Sequence, residues 1–148
     1  MAGEDSERSA ALTEAGKRRI ELKLAVSQVE IAASSPSGDP KWNATLVTEL
    51  EDLGEALSQH VEEVEAADGL LAELIEIAPR LVNQIGQVRD EHPVLCAQVS
   101  AAITQTKSED SVDAVRAEVL ELLLAISRHR QRGADLVYEG YNVDIGGG

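Results

Sequence analysis

Leu46, Leu50, Leu53, Leu57, His60 and Val64 follow one another at steps of three and four residues, which winds them onto one face of an α-helix. The same spacing returns in Leu81, Ile85, Val88, His92, Cys96, Val99 and Ile103, and again in Val115, Val119, Leu122, Ile126, His129, Gly133 and Leu136. A further stripe, Leu12, Ala15, Arg19, Leu22, Val26, Val29 and Ala33, carries an arginine where the others carry histidine. Four such stripes bury themselves most readily against one another, and short connections favour an up-down-up-down four-helix bundle. Aromatic residues are only 2% of the chain, Phe is missing, and hydrophobic residues reach 43%, so the core is built from Leu, Val, Ile and Ala. That palette suits packed helices better than a β-sandwich. The expected fold is all-α, with residues 1–148 forming a single domain long enough to bury a sizeable core.

Turn-forming residues divide the stripes. SSPSGDPK (Ser34 to Lys41) and TQTKSED (Thr104 to Asp110) read as loops. They predict long helices from about Glu7 to Ala33, Trp42 to Ala67, Pro79 to Ile103 and Ser111 to Gly140. DGLLAELIEIA, Asp68 to Ala78, predicts a short bridging helix introduced by glycine. Pro79 suits a first helical position, and Ser111 or Asp110 can cap the last helix. Pro93 stands inside the third long helix, where it removes a hydrogen bond and threatens a kink beside His92. Trp42 is expected to close one end of the core. Residues 1–6 and 141–148 are expected to be frayed, or, through Tyr138, Tyr141, Val143 and Ile145, to fold back over a bundle end as a lid.

The formal net charge of -14 repels phosphate, and the few Lys and Arg are not gathered into a stripe, so nucleic acid and anionic membranes are poor partners. No apolar run approaches a membrane span, and MAGEDSERSA lacks the basic and apolar regions of a signal peptide. A soluble, cytoplasmic protein is expected. Its one cysteine, Cys96, cannot form an intrachain disulfide. The sequence offers neither a glycine-rich phosphate loop nor a nucleophile elbow.

All three histidines lie on inward faces. A rise of about 1.5 Å per residue puts His92 and His129 within about one turn of the same height in antiparallel helices. His60 joins them if the bridging segment allows. Burying an imidazole without a partner carries a penalty of a few kcal/mol, so three in one core imply a polar network or a metal. Imidazole suits iron, zinc, copper and nickel, and bundle cores build such sites from facing helices. Glu63 and Cys96 are the nearest further ligands, although a free cysteine is commonly packing and Glu62, Glu63 and Glu65 a solvated flank.

The segments QHVEEVEAADGLL, APRLVNQIGQVRDEHPVL and RHRQRGADLVYEGYNVDIGGG resemble the hemerythrin-like, or HHE cation-binding, family. The resemblance implies a four-helix bundle holding a non-haem diiron centre on histidines and bridging carboxylates, used on dioxygen, peroxide or iron. The family's ligands carry over only in part, onto His60, His92 and His129. Val64 stands at the position of a carboxylate, with Glu63 and Glu65 on opposite flanks. Cys96 stands where a second histidine belongs. Gly133 and Ala134 follow where an acid belongs, Asp135 points away, and Arg19 or Arg18 replaces the first-helix histidine. Two irons without bridging carboxylates carry uncompensated charge in a low-dielectric core, and Arg19 adds to it unless paired with Glu63 or Glu30. A reduced site remains, with His60, His92 and His129 plus Cys96, Glu63 or water holding one zinc or iron. The expected function is therefore non-haem metal binding, iron first in a mono- or dinuclear site and zinc second, directed at sensing or binding dioxygen or peroxide. The alternative is a metal-free structural or interaction module of the same origin, its histidines networked with Arg19 and a glutamate. Enzymatic turnover of peroxide or nitric oxide would depend on the metal.

Overall fold

The structure is a computed structural model that describes residues 2–108 and 110–144. Helices α1 (Ala2–Ser34), α2 (Trp42–Glu65), α4 (Val82–Lys107) and α5 (Val112–Val137) are long, and α3 (Leu70–Ile77) bridges α2 and α4. A turn of 3-10 helix, Pro79–Leu81, leads into α4, with Pro79 in its first turn. The long helices form the expected four-helix bundle: α1 packs on α2, α2 on α4 and α4 on α5, while α5 returns to α1 along a sparser seam.

The apolar stripes fill the interior as their spacing dictates. Leu46, Leu50, Leu53 and Leu57 are all fully buried in α2, and each stabilises the fold by about 2 kcal/mol relative to an exposed leucine. The interior is nevertheless two clusters. One, rich in Leu and Val, runs from Trp42 to Leu57 on α2 and from Val115 to Ile126 on α5. The other gathers Val64, the three leucines of α3, Leu81, Ile85, Val88 and Leu136. Between them each of α2, α4 and α5 contributes one histidine.

Side-chain ties close the Trp42 end. Arg116 Nε and Nη2 donate to the carbonyls of Ala33 (2.9 Å) and Ser35 (3.0 Å), completing the C-terminus of α1, while its guanidinium lies 5.4 Å from the centre of the buried Trp42 ring. Asn43 Nδ2 donates to the carbonyl of Thr106 (3.1 Å), tying α2 to the last turn of α4. Ser111 caps α5 by accepting from the amide of Ala114 (3.1 Å).

The structure differs from the sequence expectation at helix ends and at Pro93. The first helix starts at Ala2 rather than Glu7. TQTKSED is not a loop throughout, because α4 continues to Lys107: Thr106 is fully buried and its hydroxyl donates to the carbonyl of Ala102 (2.8 Å). A threonine thus closes a helical turn with its own side chain instead of breaking it. Pro93 is exposed and sits in a continuous α4, leaving His92 inside. Beyond Val137 the chain stays helical but widens into a π-helical turn, Tyr138–Asp144. There Tyr141 donates to Glu73 of α3, and Gly140 packs so tightly that a Cβ would lie 2.5 Å from Leu74 Cδ2. Tyr141 therefore folds back over the end, the alternative to fraying, whereas Tyr138 points outward at 61% exposure; the Val143 side chain and Ile145 lie outside the described residues.

Gly69 makes the reversal from α2 into α3. A Cβ there would press into the carbonyl oxygen of Glu63 and stand 3.0 Å from that of Val64, both backbone atoms that cannot swing away. Gly69→Ala should therefore lower unfolding stability by about 2 kcal/mol, within the range for enforced clashes in a packed site. Urea denaturation checks this, and an unchanged midpoint would refute the close approach.

Candidate metal centre

α2, α4 and α5 each bring one histidine into the same layer because each stripe reaches that height with an imidazole in place of an aliphatic side chain. His92 and His129 are buried at 1% and 3% exposure, and His60 is partly buried. Ring centres lie 5.6 Å apart for His60 and His92, 5.9 Å for His60 and His129, and 4.9 Å for His92 and His129, all edge to face. One ring nitrogen from each falls within 4.8 Å of the others.

Two carboxylates orient the rings from outside this cluster. Nδ1 of His92 lies 2.5 Å from Glu65 Oε2, and Nδ1 of His129 lies 2.7 Å from Glu91 Oε1. An ionised carboxylate only accepts, so each Nδ1 carries the proton and each Nε2 keeps its lone pair. Glu91 is itself paired with Arg132. Burial works against its charge, but hydrogen bonds from Arg132 and His129 outweigh that and hold its carboxyl below the usual range. Nδ1 of His60 and Nε2 of His92 are both buried without a hydrogen-bond partner. An orphaned polar atom in a core forfeits its hydration, so these two ring nitrogens are open to any ligand that would answer them.

His60 and His129 are pushed toward the neutral imidazole, the form that binds metal. Burial first, then the charges of His92, His129, Arg19 and Arg130, push His60 down from 6.5 to about 4. Burial also lowers His129, partly offset by its hydrogen bond to Glu91. A cavity of about 50 Å³ opens beside the cluster, walled by apolar side chains of α1, α2, α3 and α5 and edged by Arg19, Arg130 and Gly133.

The other sequence candidates lie elsewhere. Cys96 packs on the apolar cluster at the Trp42 end, and burial, then the nearby Glu65 charge, push its thiol up, away from the thiolate a metal needs. Glu63 lines a surface groove with Asp68 and Glu73. Neither joins the histidine cluster. Arg19 borders the cavity as its place in the stripe implies, yet is exposed and, among the described residues, forms no ion pair with Glu63, Glu30 or another acid. Glu65 and Glu91 are the partners that sequence reasoning passed over. The available signal was Glu91 next to His92, which turns it by about 100° toward the adjacent helix.

The three nitrogens fit one ion, with the carboxylates as outer partners and the cavity beside an open position. Among the described residues no carboxylate joins the group in a position to bridge a second ion. Comparison of the chain with protein-family models, characterised proteins and solved structures finds no match.

The lowered His60 makes the metal-free protein sensitive to acid. Its neutral form is favoured on folding, so stability is full above pH 6.5 and falls as the unfolded chain takes up the proton, until about pH 4. Between pH 7.5 and pH 5 the loss should be about 2 kcal/mol. Urea midpoints of chelator-treated protein should show that slope, and His60→Leu should remove most of it; a flat wild-type profile would contradict the buried neutral ring.

Proposed function

We propose that this chain is a hemerythrin-like bundle reduced to a single divalent metal ion, iron or zinc, held by His60, His92 and His129. What carries the reading is the convergence of three imidazole nitrogens within 4.8 Å, two of them on rings with a buried, unpartnered nitrogen. The Glu65–His92 and Glu91–His129 pairs support it, because a carboxylate on the far nitrogen fixes the tautomer and raises the basicity of the near one. In a metal-free module the same core would keep two desolvated ring nitrogens with nothing to bind, a penalty of a few kcal/mol.

When bound, the ion supplies an electrophilic open position, and iron adds redox reactivity toward dioxygen or peroxide. The residues supply the rest. His92 and His129 present lone pairs fixed by their glutamates, and the apolar wall on α3 limits water. Arg132 keeps Glu91 ionised so that it accepts rather than donates. No helix among the described residues is long and apolar enough to cross a membrane. We place the protein in the cytoplasm, as its single cysteine favours.

Untagged protein purified without chelator, or loaded anaerobically with iron, should hold close to one ion per chain by elemental mass spectrometry. The His60→Ala, His129→Ala variant should hold none while keeping its helical circular dichroism. Metal far below one per chain in the wild type would overturn the reading. Glu91→Gln, which removes the acceptor charge behind His129, should weaken zinc by about 10- to 100-fold in a chelator competition; wild-type affinity in that variant would remove Glu91 from the site.

A further inference from the structure

The cavity beside the histidines is edged by two guanidinium groups with no acid partner among the described residues. Among the described residues Arg19 and Arg130 make no hydrogen bond or ion pair, and Arg130 Nε is buried without a partner. Arg18, Arg80 and Arg132, by contrast, pair with carboxylates. Arg19 is exposed to water, whereas Arg130 is partly buried with its Nε cut off from any partner, so the cavity edge carries positive charge that no acid among the described residues answers directly.

An ion on three neutral imidazoles adds to that charge. Of the two nearby carboxylates, Glu91 is already matched by Arg132, so Glu65 alone stands against the metal and two guanidiniums. The balance calls for an anion. The cavity of about 50 Å³ has room for roughly three or four water-sized atoms, which suits a ligand of a few heavy atoms. Guanidinium forks match flat, two-oxygen acceptors best. The α1–α5 seam, the sparsest in the bundle, gives the way in, and Gly133 keeps it clear: a Cβ there meets no atom within 4 Å.

Resting on the metal reading above, we propose that this cavity binds a small planar oxyanion, a one- or two-carbon carboxylate or nitrite, between the metal position and the guanidiniums of Arg19 and Arg130. The anion is thus the ligand the site selects, and Arg19 and Arg130 are the residues that select it over neutral molecules of equal size.

The test uses the full chain loaded with cobalt(II), whose visible absorption reports both occupancy and coordination, titrated with formate. Formate should change the spectrum and saturate at one per chain. The Arg19→Gln, Arg130→Gln variant should bind cobalt with unchanged stoichiometry and take formate at least about tenfold more weakly, the effect of losing a charge-assisted contact. Gly133→Leu should keep cobalt and lose the formate response by filling the cavity. Cobalt bound with a formate-indifferent spectrum, or equal formate affinity with and without the arginines, overturns the anion site alone. Failure of cobalt to bind the wild type overturns the metal reading and this inference with it.

Discussion

Three imidazoles in one buried layer are the constraint around which the rest of the molecule is arranged. Each displaces an aliphatic side chain at a height where the stripes of α2, α4 and α5 would otherwise run on, and so cuts the interior into two apolar clusters. Desolvated nitrogen in that position is tolerable only if something answers it. Glu65 and Glu91 answer two of the ring nitrogens from outside, and their own charges are held in half-buried positions, with side-chain exposures of 33% and 26%. The remaining ring nitrogens stay within the cluster, one from each histidine within 4.8 Å of the others.

The bundle and the layer were both legible in the chain. Stripes at three- and four-residue spacing identified the inward faces, and helical rise alone put His92 and His129 within about one turn of the same height. What spacing does not encode is the reach of flank residues. Glu65 and Glu91 sit among other acids on the edges of their helices, where a sequence shows only a solvated charge. Their role depends on which neighbouring helix stands opposite, and that is decided by packing. Glu63 and Cys96 were plausible ligands for the same reason in reverse: adjacency along the chain placed them near a histidine, but the turn of the helix aims one at solvent and the other at the Trp42 cluster.

The helix ends show a similar division. Ser111 caps α5 as its residue type and place imply, because that bond is local. The persistence of α4 through TQTK is not local: Thr106 is covered by the bundle, and its carbonyl is claimed by Asn43 from another helix. Hydroxyl residues that loosen an exposed helix finish a buried one. Pro93 follows the same logic, since its ring faces outward and the carbonyl it leaves unbonded belongs to Arg89, an exposed residue with water at hand.

The split core also separates the two ends of the molecule in their dynamics. At one end four long helices are cross-tied by Arg116 and Asn43; at the other, eight residues of α3 and a π-helical turn form the closure, pinned by Tyr141 to Glu73. Stability in such a structure is regional, and the weakly tied region opens first while the remainder stays folded. The histidine layer is the border between the two regions. Whatever bridges it joins them into one cooperative unit, so amide protons of α3 and the first turns of α4 would exchange with solvent on a timescale set by occupancy of the layer, while those around Trp42 keep the protection of the whole fold.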